Sequence, residues 1–163
     1  MNRLEVREAR SKYVAEPHKV LAIDGTPIDE LLDAAYPDGN ILGLAPAMLD
    51  WLSDPDERHL VRERILPPVG NSAIAPLLVC PDDLDLSCTV IVAEVVREVS
   101  VVSWRRIGLD ATEANFGNML PAIGGTVHWI DRIGPFSFEI AEYERCFAAF
   151  FPHSTRTTGM GAS

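Results

Sequence analysis

Two stretches of this chain carry the residue types that do chemistry. The denser one runs from Cys80 through Asp82, Asp83 and Asp85 to Cys88, with three carboxylates and two thiols inside nine residues. Carboxylates gathered on a loop suit Mg²⁺ or Ca²⁺, which makes Asp82, Asp83 and Asp85 candidate metal ligands. The calcium-loop pattern demands a glycine at its sharp turn and a glutamate further on, and this run has neither. Seven residues separate the two cysteines, more than the two to four of a zinc site. The run also reads as an acidic binding loop, or as a polar hairpin turn whose aspartates accept backbone N–H bonds. A thiol–imidazole pair between Cys80 or Cys88 and His128 requires the fold to bring them together.

The second stretch is defined by charge. No basic residue stands between Lys19 and Arg58, whereas nine acids do: Asp24, Asp29, Glu30, Asp33, Asp38, Asp50, Asp54, Asp56 and Glu57. One sign over that length creates a negative field that attracts basic partners and repels nucleic acid and anionic membranes. Asp29, Asp33, Asp38 and Asp50 are the candidate partner-binding acids, with Tyr36 as an aromatic contact among them. Trp104, Arg105 and Arg106 form a further candidate, because Trp and Arg are frequent at binding hot spots. Strand alternation puts Trp104 and Arg106 on one face and Arg105 on the other. The plainer reading buries Trp104 and pairs an arginine with an acid such as Glu94 across the sheet.

Other chemistries lack their motifs. There is no G-x-S-x-G, no H-E-x-x-H and no Walker A loop, and Gly108, Gly117, Gly124 and Gly125 are too scattered to cradle a phosphate. No cofactor is implied. A formal net charge of -10, with lysine only at Lys12 and Lys19, argues against a general nucleic-acid binder. The opening decapeptide is polar and charged, unlike a secretory leader, and no stretch reaches the roughly 20 apolar residues of a membrane span. A cytoplasmic protein is expected, with Cys80, Cys88 and Cys146 free and buried.

The elements that must position these residues are legible in part. With 47% hydrophobic residues among 163, the chain suits one globular domain with a sizeable core. Residues 4–15 give weak strand signals, and residues 20–23 read as a strand ending at the turn pair Asp24-Gly25. A helix follows, with Thr26 as cap, Pro27 at its first position and Ile28, Leu31, Leu32, Ala35 and Tyr36 on its apolar face. Asp29, Glu30 and Asp33 then point to water, and Pro37 with Asp38-Gly39 stops the helix. A second helical region is expected from Pro46 through Met48, Leu49 and Trp51. A third begins at Asp54-Pro55, with Glu57 three residues after the cap and Leu60, Val61 and Ile65 on its buried face. Residues 73–79, 88–96, 101–109 and 126–130 read as strands, the second of them central and the third paired with it through a hairpin. Trp51 and Trp129 are expected in the core. Ile140, Tyr143, Phe147 and Phe150 mark a final amphipathic helix packed on the sheet, and residues 152–163 read as a loose tail. Helices, then strands, then a closing helix predict a single α+β domain over residues 1–151 with a mostly antiparallel sheet.

Over roughly residues 20–150 the order of elements resembles that of small acidic bacterial proteins of the toxin-immunity type. The segments that carry the resemblance are Ile23-Asp24-Gly25, the run from Cys80 to Asp85, Trp104 to Gly108, and Pro135-Phe136-Ser137-Phe138. Immunity proteins are often acidic, cytoplasmic and non-enzymatic, and they mask a toxin domain directly. The resemblance implies a basic protein partner and assigns no residue role. The expected function is therefore a non-enzymatic protein-binding module that presents its acids to a basic toxin domain. The alternatives are a small enzyme or metal-binding protein built on the loop between Cys80 and Cys88, and an assembly protein that dimerises through exposed strands.

Overall fold

A computed structural model describes residues 1–10, 16–49, 52, 54–81, 86, 89–111 and 123–151. It is a single-domain α+β fold with antiparallel strand pairing throughout the described sheets. The chain opens with β1 (Leu4–Ala9) and β2 (His18–Ile23), followed by the two-residue β3 (Thr26–Pro27). Asp24 and Gly25 join β2 to β3 with φ of 51° and 91°. Two successive left-handed residues make the tight turn that Asp-Gly favours in hairpins. That hairpin corrects the expected cap: Thr26 pairs with Ile23, and α1 (Ile28–Ala35) starts with Pro27 at its boundary and no side-chain cap. Asp24 also clasps the N-terminus, accepting from Asn2 Nδ2 at 2.8 Å and from the Arg3 N–H at 2.7 Å.

After α1 a 3-10 turn (Pro37–Gly39) leads into β4 (Ala45–Pro46). The described residues 46–49 do not form the helix expected from Pro46. Pro46 instead pairs with Leu78, and the Ala47 N–H donates to the Leu77 carbonyl at 2.8 Å. A proline is tolerated in a sheet at an edge strand, where its missing N–H breaks no ladder bond. The next helix, α2 (Pro55–Ile65), forms as read, with the Asp54 carboxylate accepting from the Asp56 N–H at 2.9 Å.

The larger sheet then runs β4–β5–β6–β7–β8, with β5 (Ser72–Val79), β6 (Val90–Arg97), β7 (Val101–Asp110) and β8 (Val127–Trp129). A short strand that the sequence reading missed, β9 (Phe136–Glu139), pairs with the other end of β7. Central β6 buries Val90, Ile91, Val92 and Ala93, as its unbroken apolar run requires. The closing helix α3 (Ile140–Phe150) buries Tyr143, Phe147 and Phe150. Helix α2 packs along β5, and α3 lies against β1, β9 and β7.

A chain of polar contacts ties these layers together inside the core. The Trp104 Nε1–H donates to the Tyr143 hydroxyl at 3.1 Å, and that hydroxyl donates to the Ile65 carbonyl at 2.6 Å. Phe138 meets Trp104 edge-on at 4.9 Å between ring centroids, and Phe147 stands 4.7 Å from Tyr143. Burial pushes the Tyr143 phenol far above its ordinary value, so it serves as a neutral bridge. Helix α3 also closes the margin of β1. The Leu4 N–H donates to Glu142 Oε1 at 2.9 Å, and the Cys146 thiol donates to the Leu4 carbonyl at 3.1 Å.

Candidate functional site

The acids between Lys19 and Arg58 divide by role. Asp29 is half-buried, and its Oδ2 accepts from the Gly43 N–H at 3.0 Å. It holds the loop after α1 in place, so it points to water only in part. Asp33 is half-buried too, whereas Glu30 and Asp38 are exposed. Asp54 caps α2. Glu57 is buried at 6% exposure and receives the Leu86 N–H on both carboxylate oxygens at 3.3 Å. Asp50, Trp51, Asp82, Asp83, Asp85 and Cys88 lie outside the described residues, as does the expected tail. Among the described residues no group of three His, Cys, Asp or Glu could hold a metal ion, and no helix is long and apolar enough to cross a membrane.

Tyr36 is exposed at 41%, although the helical pattern places it on the apolar face of α1. The helix ends one residue earlier, so Tyr36 takes an extended backbone (φ -144°) and swings out. Gly39 makes room for it: a Cβ there would come within 2.7 Å of the Tyr36 ring. The ring stands at the mouth of a groove of about 570 Å³. Tyr36 and Pro37 form one wall, residues 128–132 form the other, and Leu109 lies between them. His128, Asp131 and Arg132 are exposed on the second wall.

The register of β7 explains which side chains reach this place. Glu94 pairs with Arg106 while its neighbour Val95 pairs with Trp104, so Arg105 is an extra residue on β7. That bulge reverses the alternation. Trp104 is buried in the core, and Arg106 lies on the opposite face, which corrects the expectation that they share one. Arg106 forms two hydrogen bonds with Glu94, at 3.0 and 3.3 Å, and its guanidinium stacks 4.1 Å from the centroid of Trp129. The plainer reading of this tripeptide, a core tryptophan and a cross-strand ion pair, is the one observed. Such a stack at the surface is worth about 0.5–1 kcal/mol, enough to fix Trp129 and with it the outer face of β8.

The pairing of Cys80 with His128 does not occur. Cys80 follows the end of β5 and His128 sits on β8, with β6 and β7 between them. Three strand spacings amount to roughly 14 Å. Cys80 and Cys146 are free thiols, half-buried. Burial, and then the Glu142 carboxylate, push the Cys146 thiol above its ordinary value. With less thiolate at neutral pH, Cys146 should react with Ellman's reagent more slowly than free cysteine. Labelling of this residue at or above the free-cysteine rate would contradict the geometry.

No family, curated protein or solved structure matches this chain. The groove therefore stands on its own chemistry: an exposed phenol, an exposed imidazole in His128, one exposed acid in Asp131, one exposed arginine in Arg132, and apolar lining from Leu109, Trp129 and Ile130. Residue type alone points to Tyr36, whereas Trp129, expected in the core, is half-buried beside the groove. The sequence carries no signal for Ile130, Asp131 and Arg132, whose approach to Tyr36 depends on long-range pairing.

Proposed function

We propose that this chain is a non-enzymatic protein-binding module of the immunity type, which captures a basic partner through the groove beside Tyr36. The observation that carries this reading is Tyr36 itself, an aromatic ring held outside the core at the mouth of a groove. Asp131 is exposed on one wall, and Asp38, also exposed, follows Pro37 of the other in sequence. Aromatic anchors supply most of the affinity at protein interfaces, while surrounding charge steers the encounter. The formal net charge of -10 extends the attraction beyond contact range. A toxin domain is the concrete partner that the resemblance suggests.

The test is capture of the tagged protein's partner from its own cell lysate at low salt, followed by association kinetics. Glu30→Lys, Asp38→Lys and Asp131→Lys together alter exposed positions only. They should slow association roughly tenfold and flatten its salt dependence. An unchanged association rate, or a captured partner that is itself acidic, would defeat the reading.

A further inference from the structure

The polar side chains along the groove are exposed and unengaged. Tyr36, His128, Asp131 and Arg132 all line it in contact with water. Among the described residues none of these four side chains has a hydrogen-bond or ion-pair partner. Neighbouring charges differ in this respect. Arg106 and Glu94 satisfy each other at 3.0 Å, and Arg106 also stacks on Trp129. A second hollow of about 300 Å³, between β1 and α3, has Glu142 and Cys146 already bonded to the Leu4 backbone.

Within the groove the charges come as one of each sign, side by side. Asp131 and Arg132 are consecutive residues of the turn after β8, so their Cα atoms are about 3.8 Å apart. That spacing suits a ligand head that carries an ammonium and a carboxylate on one carbon. A purely cationic head would face Arg132 uncompensated, and a purely anionic one would face Asp131. Beyond the two charges the lining is apolar, with Ala35, Leu109 and Ile130 half-buried and the Tyr36 ring at the mouth. Apolar lining with a few polar groups that fix orientation is the make-up of a small-molecule site. The volume of about 570 Å³ lies within the roughly 300–1,000 Å³ of such sites.

We propose that the groove binds a free aromatic α-amino acid as its zwitterion. The Asp131 carboxylate accepts from the ammonium group, and the planar guanidinium of Arg132 donates to the carboxylate. The aromatic side chain lies over Leu109 and Ile130, with the Tyr36 ring as its stacking or edge-on partner. This goes beyond the partner-binding reading above, because it needs the groove and no protein partner.

NMR titration of the full chain with L-phenylalanine tests it, followed at the His128, Trp129 and Ile130 amides. Three further probes each lack one part: acetylphenylalanine has no cation, phenylalanine amide has no anion, and glycine has no ring. Phenylalanine should shift the three amides, and the two charge-deleted probes should bind roughly threefold to fivefold more weakly. Glycine should shift none of them. Asp131→Asn and Arg132→Gln alter exposed positions, and amides away from the groove should stay in place. In Asp131→Asn the gap between phenylalanine and acetylphenylalanine should close, and in Arg132→Gln the gap between phenylalanine and its amide should close. Equal binding of the three aromatic probes by the wild type would overturn the zwitterion and leave an apolar groove without charge preference. Gaps that persist unchanged in the two variants would overturn the roles of Asp131 and Arg132. No shift at the three amides up to the solubility limit of phenylalanine would overturn the inference as a whole.

Discussion

Replacing Tyr143 with phenylalanine will destabilise the protein by roughly 2–5 kcal/mol, although it removes a single oxygen atom. The hydroxyl closes two accounts at once. Ile65 ends α2, so its carbonyl is one of the four that a helix C-terminus leaves without an internal partner, and the Tyr143 O–H donates to it at 2.6 Å. The same oxygen accepts the Trp104 indole N–H, on a residue with no exposed surface. Phenylalanine would leave both groups buried and unpaired, at about 1–3 kcal/mol each. Against a typical total of about 5–15 kcal/mol, that is a large fraction. The melting temperature should fall by roughly 5–15 °C for a chain of this size.

The second mutation of the cycle isolates the cause. Trp104→Phe removes the indole N–H, so Tyr143→Phe made in that background should cost less than in the wild type by about 1–3 kcal/mol. Equal costs in the two backgrounds, measured by urea denaturation, would mean that the indole finds another partner. A total loss under about 0.5 kcal/mol for Tyr143→Phe would remove the polar chain from any account of how α2, α3 and the sheet are held.

What the sequence made legible follows from the range of the forces involved. The Asp54-Pro55 start of α2 and the spacing of Ile140, Tyr143, Phe147 and Phe150 are local signals, and both helices stand where those signals put them. Strand β6 was legible for the same reason, since its run Val90 to Ala93 is apolar at every position, as coverage on both faces requires. Local signals misled where pairing overrode them. Thr26-Pro27 carries the chemistry of a helix start, yet the left-handed Asp24-Gly25 turn folds it back onto β2. Pro46, Met48 and Leu49 look like an amphipathic run, yet Pro46 sits on a sheet edge. The candidate site was half legible. Tyr36 and its acids stood out by type, but Asp29 has a structural partner in Gly43 that only the folded loop reveals. The opposite wall was hidden because the bulge at Arg105 changes the parity of β7, and a one-residue insertion exchanges the faces of everything beyond it.

Gly108→Ala should detach β8 while leaving most of the core intact, because the conflict it creates is with backbone. A Cβ at this position would lie 2.5 Å from the His128 carbonyl oxygen and 2.9 Å from the Trp129 Cα. Neither atom can retreat without lengthening the bonds that join β8 to β7. Opposing this, alanine lowers the entropy of the unfolded chain and so stabilises by about 0.4–1 kcal/mol. Overpacking against fixed neighbours costs about 1–3 kcal/mol, so the clash decides the sign. Gly70→Ala is the control. Gly70 has φ of 84° and nothing within 4 Å of a Cβ, so alanine there should cost roughly 1–2 kcal/mol of backbone strain with β8 undisturbed. Exchange of the His128 and Ile130 amides should therefore accelerate in Gly108→Ala and stay as in the wild type in Gly70→Ala. Trp129, released from the Arg106 stack, should also emit further to the red in the first variant alone. Unchanged protection of His128 in Gly108→Ala would mean that β8 rides loosely on β7. A strand so loosely held could not keep His128 and Trp129 in a fixed place in the groove beside Tyr36. The two glycine variants thus test the platform of the groove independently of any ligand.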